Sequence, residues 1–219
     1  LMSNIGFSVC HQITNKSSIF GVVNLIVCSR CAGIYIGFLL AFIYLFIRGK
    51  RKTEYPSPGI MIMGIIFIVI MALDGITSYL YLRETSNSIR FLTGLMAGSG
   101  LSLFLVPPVN YFIFKDLKHE SIIKTNLEGI SFLCLPFLVY IFLYFFRSII
   151  YPFFSYIITF SIIFIFLSIN FVLASMVLFR FIKVISRDKF YMKIFLSLFI
   201  ALLLSGTQLI GLFYLHKAI

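Results

Sequence analysis

The chain has 219 residues, of which 61% are hydrophobic and 11% charged, and it carries a net charge of +11. A soluble domain has roughly 25% charged residues, so one small globule has no way to bury this much apolar surface, whereas a bilayer accepts it on every helix face. The positive charges fall in short runs between apolar spans, without a basic face carrying interleaved exposed aromatics, which argues against nucleic acid as a partner.

The sequence begins with a mixed segment, residues 1–31. It lacks a basic stretch followed by an apolar run and a small-residue cleavage site, so no removable signal peptide is expected. Within it, Ile19 to Val27 is apolar but too short to span a bilayer, and reads as re-entrant or interfacial. Six apolar spans follow, at about residues 32–48, 58–82, 90–114, 129–147, 152–180 and 193–216. The fifth is long enough to tilt. With no solenoid repeat or linker, the expectation is one all-α polytopic membrane bundle over residues 1–219, with an extracytoplasmic N-terminal Cys/His segment. The 12 tyrosines serve the interfacial role in the absence of Trp.

Lysine and arginine counts set the expected orientation. The loops after spans one, three and five hold Arg48, Lys50, Arg51, Lys52, Lys115, Lys118, Lys124, Arg180, Lys183, Arg187, Lys189 and Lys193, twelve in all. The opposite side holds six: Lys16, Arg30, Arg83, Arg90, Arg147 and Lys217. The positive-inside rule places the first set in the cytoplasm and both termini outside a cell membrane. Gly33-x3-Gly37 and Gly94-x3-Gly98 are small-residue pairs that let helices approach closely.

The chemistry-bearing residues gather on the expected outer side. Cys10-His11 is followed by Cys28-Ser29-Arg30-Cys31. A C-x2-C pair with a Cys-His half has the spacing of small zinc modules, so Cys10, Cys28, Cys31 and, more weakly, His11 are candidate ligands for zinc or another divalent ion. A Cys28–Cys31 disulfide with Cys10 as resolving thiol is the second reading, and three packed thiols the third. Cys134, alone in span four, reads as packing. Arg30 is either a snorkelling side chain or a fork for a carboxylate or phosphate.

Asp74 is the only acid well inside a span, and a carboxylate there normally faces the bundle and has a partner. Thr77, Ser78 and Tyr81 continue its face. The loop Arg83 to Ile89 then leads to Arg90, with Ser86 or Asn87 as helix cap and Thr93 one turn on. Arg90 at a helix N-terminus suggests an anion-binding corner, the plainer alternative being an Asp74–Arg90 ion pair. Tyr140, Tyr144, Arg147, Ser155, Thr159, Ser205 and Gln208 are expected at matching depth, whereas Asn110 and Asn170 are assigned to the cytoplasmic half. His119 and His216 read as ordinary loop or terminal histidines.

Cys10-His11-Gln12, Cys28-x-Arg30-Cys31-x-Gly33-x-Tyr35-x-Gly37, Asp74-Gly75 and Asn87-x2-Arg90-x2-Thr93-Gly94 together resemble the predicted membrane proteins catalogued as domain of unknown function 2085, over roughly residues 7–100. Thr14 and Lys16 stand where that family has Pro and Arg, and Ser78 where it has Gln. The resemblance implies a recurring Cys/His-containing membrane protein and brings no activity.

The expected function is a zinc-type Cys/His site beside an intramembrane cavity for a lipid-like anion, with metal-assisted hydrolysis or group transfer as its chemistry. Asp74, as general base, and Arg90 are the candidate catalytic residues; Arg30, Asn87, Thr93 and Gln208 are the candidate substrate-binding ones. A lipid or anion transporter, a thiol-disulfide oxidoreductase and an assembly subunit are the alternatives. Membrane lipids and other membrane subunits are the expected partners.

Overall fold

The computed structural model describes residues 2–10, 17–19, 23–80, 82–181 and 190–218. Among them are seven helices: α1 (Met2–Val9), α2 (Ser29–Arg48), α3 (Pro58–Tyr79), α4 (Asn87–Ile113), α5 (Asn126–Phe145), α6 (Arg147–Phe181) and α7 (Phe190–Ala218). The last six are long and apolar enough to cross a membrane. Every expected span is present, with shifted ends. α2 starts early enough to carry Cys31 in its first turn, and α3 stops at Tyr79, short of residue 82. The turn expected at 148–151 contracts to a break at Phe146, and α6 begins at once with Pro152 accommodated near its start.

The all-α bundle is accompanied, among the described residues, by four short strands outside the spans: β1 (Ser18–Ile19), β2 (Val23–Asn24), β3 (Lys52–Glu54) and β4 (Lys118–Ser121). Strands β1 and β2 pair antiparallel, so Ile19, Val23 and Asn24 of the apolar 19–27 stretch lie in a strand pair, while Leu25 and Val27 are buried in a core cluster with Phe91 and Leu95. Strands β3 and β4 pair in parallel at the lysine-rich end. There Asn110 donates to the carbonyls of Gly49 and Lys52, both at 2.8 Å, and so satisfies the chain as it leaves α2.

The bundle is organised around α4, of whose most apolar window 72% is buried, against 17% for α3 and α7. Glycine puts it there. A Cβ on Gly33 would fall onto the Phe91 carbonyl, one on Gly94 onto the Arg30 carbonyl, and one on Gly98 onto the Ile34 carbonyl. The two expected small-residue pairs therefore face each other across α2 and α4, with backbones touching. Gly64 and Gly100 repeat the device between α3 and α4. Away from these contacts the packing is aromatic: Phe38, Phe42 and Phe164 join α2 to α6, and Phe112 meets Phe179. α1 lies against the end of α7, where the Phe7 ring meets Phe213 edge-on and the His216 ring bonds the Phe7 carbonyl at 2.9 Å. His216 thus ties two elements together, a role its terminal position did not suggest.

Candidate functional site

Cys10 follows the last turn of α1, its N–H bonded to the Gly6 carbonyl at 3.0 Å. Cys28 is the N-cap residue of α2, and Cys31 lies three residues on in the same turn. The C-x2-C spacing thus puts two sulfurs at one helix start, and α1 swings the third beside them. The three sulfurs all lie within 4.8 Å of one another. The backbone N–H of Cys28 donates to Cys10 Sγ at 3.2 Å. All three thiols are partly buried. The Cys28 thiol is pushed above its ordinary range, chiefly by its hydrogen bond with Cys10, with burial adding to the effect. Three sulfurs so close cannot all ionise without a cation among them, whereas a helix N-terminus and a donated N–H favour thiolates once one is present. His11 lies outside the described residues.

One helical turn around, Arg30 reaches across to α3. Its Nε donates to Asp74 Oδ2 at 3.1 Å, its Nη2 bonds the same oxygen, and Nη2 also reaches the Asp74 carbonyl at 3.2 Å. Arg83, from the loop after α3, donates to Asp74 Oδ1 at 3.1 Å. Thr93 contacts Oδ2 at 3.4 Å and its own helix at the Arg90 carbonyl. Asp74, with a side chain only 3% exposed, is therefore held by two guanidiniums and a hydroxyl.

No ion pair joins Asp74 to Arg90. The alternative of an Asp74–Arg90 ion pair is corrected here: Arg30 occupies the place, because the glycine contact between α2 and α4 brings α2 close enough to α3 for its Arg to reach the carboxylate. Arg90, 8% exposed, donates instead to Ser78 Oγ at 2.9 Å and to Asn87 Oδ1 at 3.4 Å. Its Nε has no partner, and among the described residues no carboxylate pairs with it. Thr85 Oγ1, in the loop entering α4, is also buried and unpartnered. Ser86, one of the two expected caps, accepts from the Ile89 N–H.

The two groups are joined by β1. Asn87 donates to Ser18 Oγ at 3.1 Å, and Ser29, adjacent to Cys28, donates to the Ser18 carbonyl at 3.1 Å. Gln208 is not brought to this group: it accepts from Asn170 Nδ2 at 2.8 Å on the far side of α6. The assignment of Asn170 to the opposite half from Gln208 is thereby corrected. Arg83, Ser18 and Ser29 were missed as site residues. Arg83 had a signal, a cation nine positions after a deep acid, but the two serines had none.

A family model described as a predicted membrane protein, domain of unknown function 2085, matches residues 10–104. The chain is 35% identical over 111 residues to an uncharacterized protein of Methanocaldococcus jannaschii, an alignment covering 50% of this chain and 69% of the relative. It is 33% identical over 95 residues to an uncharacterized protein of Methanothermobacter thermautotrophicus, covering 43% of this chain and 82% of the relative. No solved structure matches. The chain belongs to the family of predicted membrane proteins known as domain of unknown function 2085.

Proposed function

From this membership, which carries no activity with it, we propose that the cysteine end is a thiolate metal centre of the zinc type set beside a pocket for an anionic, lipid-like head group, on the extracytoplasmic side of the membrane. The observation that carries the reading is the cluster of three sulfurs within 4.8 Å. Tetrahedral zinc with sulfurs at about 2.3 Å holds them about 3.8 Å apart, so closing the cluster on an ion needs a shift of only about 1 Å. Ligands would be Cys10, Cys28 and Cys31, with His11 or an exogenous group in the fourth position.

The anion reading rests on Arg90. A buried guanidinium without a counterion is expensive, and an anionic group arriving at the start of α4 would supply one while also meeting the helix dipole. Asn87, which accepts from Arg90, and Thr93, which donates to the Arg90 carbonyl, hold that guanidinium in place. Asp74 has both oxygens engaged by donors, so its role here is to hold Arg30 and Arg83 in place rather than to take a proton. Three thiolates are more usual in a structural centre than in a catalytic one. Metal-assisted hydrolysis or group transfer therefore requires the fourth position to stay open. The orientation follows the twelve-to-six excess of Lys and Arg at the other end.

The test is metal analysis paired with a free-thiol count on protein purified without oxidant or chelator. Divalent ion content should approach one per chain, fall close to zero in Cys28→Ser and stay unchanged in Cys134→Ser. Metal-free protein with a Cys28–Cys31 disulfide would replace this reading with the thiol-disulfide one.

A further inference from the structure

Far from the cysteine end, Asn170 on α6 and Gln208 on α7 meet inside the membrane-spanning region. Both lie deep: about 15 Å or more of helix separates each from the nearer end of its own helix. Asn170 Nδ2 is fully used, donating to Ser205 Oγ at 2.9 Å and to Gln208 Oε1 at 2.8 Å. What remains is the Gln208 amide N–H2 as donor and Asn170 Oδ1 as acceptor, neither of which has a partner among the described residues. Polar groups left unsatisfied at this depth cost several kcal/mol each in hydrocarbon.

These two groups open into a groove of about 490 Å3 between α6 and α7. Its walls are single helical faces: Ile169, Asn170 and Leu173 on one side, Gln208, Gly211 and Leu215 on the other. A Cβ on Gly211 would meet nothing within 4 Å, so the wall is open to another backbone. Two parallel seams with a small residue at the rim form a receptacle for a transmembrane helix.

We propose that this groove is a self-association surface, in which a second copy of the chain presents the same α6–α7 face across a two-fold axis. The complementarity identifies the occupant. A two-fold contact sets each patch against itself, so an unpaired donor beside an unpaired acceptor is satisfied twice over by a second copy: Gln208 Nε2 of each chain donates to Asn170 Oδ1 of the other. A lipid tail fills the groove but satisfies neither group. The proposal is independent of the metal and anion reading, since Asn170 and Gln208 share no hydrogen bond with that network.

The test is dilution-dependent energy transfer between donor- and acceptor-labelled full-length chains in phosphatidylcholine–phosphatidylglycerol vesicles, together with oxidative cross-linking of Gly211→Cys and Gly206→Cys in a Cys134→Ala background. Residue 206 lies about 140° round α7 from Gly211 and about 160° from Gln208, and a Cβ there would meet nothing within 4 Å. Wild type should associate, and Gln208→Leu, which removes both symmetry-related hydrogen bonds, should weaken association roughly 8- to 300-fold, twice the free energy of one interhelical hydrogen bond in membranes. Gly211→Leu, whose Cβ would meet nothing within 4 Å in its own chain, should weaken it as well. Gly211→Cys should cross-link and Gly206→Cys should not. A chain that stays monomeric at every dilution, or that cross-links equally from both faces, overturns the proposal. So does a monomer whose Gln208→Leu variant merely loses a different co-purifying protein.

Discussion

In α2, α3 and α4 the helices meet through glycine; in α5, α6 and α7 they meet through rings and a few amides. Gly33, Gly37, Gly94 and Gly98 bring backbone onto backbone, and every residue of the metal and anion group except Cys10, which follows α1, lies on the elements so joined or on the short segments at their ends. α6 and α7 pack through contacts such as Phe179 with Phe190, and much of their surface faces outward. A Cβ on Gly206 or Gly211 there would meet nothing within 4 Å. The family match at residues 10–104 coincides with the glycine-joined part. Backbone contact leaves almost no freedom to slide, so it can hold Arg30 against Asp74 across two helices. Ring contacts tolerate movement.

The largest expected effect tests that difference directly. Gly94→Leu should leave no folded protein, because its Cβ would sit on the Arg30 carbonyl; overpacking of a tight site costs about 3 kcal/mol or more. Gly206→Leu should fold as wild type. Thermal unfolding in detergent measures both, and equal stability of the two variants breaks the comparison.

Asp74→Asn comes next. It removes the charge facing Arg30 and should cost about 3 kcal/mol, the usual result of breaking a buried pair from one side. Arg83→Gln, whose partner is the same carboxylate but whose own side chain is 57% exposed, should cost under about 1 kcal/mol. If the two losses are alike, Asp74 is not organised by α2.

The smallest effect on the fold, and the sharpest for the site, is Arg90→Met. Deleting an unpaired buried charge should leave stability within about 1 kcal/mol of wild type or raise it. The stabilisation that wild type gains from added anionic lipid should vanish. A variant that is strongly destabilised yet still stabilised by that lipid would place the anion elsewhere.

Much of this molecule is determined along the chain. A span needs only about twenty apolar residues in a row, so six crossings are readable from hydropathy alone. A C-x2-C pair puts two sulfurs at one helix start whatever the fold. Small residues four apart mark the face that allows close approach, and Gly33-x3-Gly37 met Gly94-x3-Gly98 as their spacing implied. Asp74 in a span announced that it had a partner.

Which partner it had was decided by tertiary structure. Arg30, Arg83 and Arg90 are all cations near the same end, and sequence ranks none of them; the placing of α2 against α4 gives Asp74 to Arg30, beside Arg83, and leaves Arg90 without a counterion among the described residues. Depth was lost for the same reason: Asn170 and Gln208 fall in different halves when counted from span ends, yet they bond because α6 is long and α7 is displaced along it. The third sulfur depends on α1 docking against α7, an arrangement made by Phe7 and His216 with no pattern of its own. Hydropathy and spacing are local properties of one helix, whereas ion pairing within a bundle depends on how two helices turn and slide against each other, and that is fixed only when their surfaces meet.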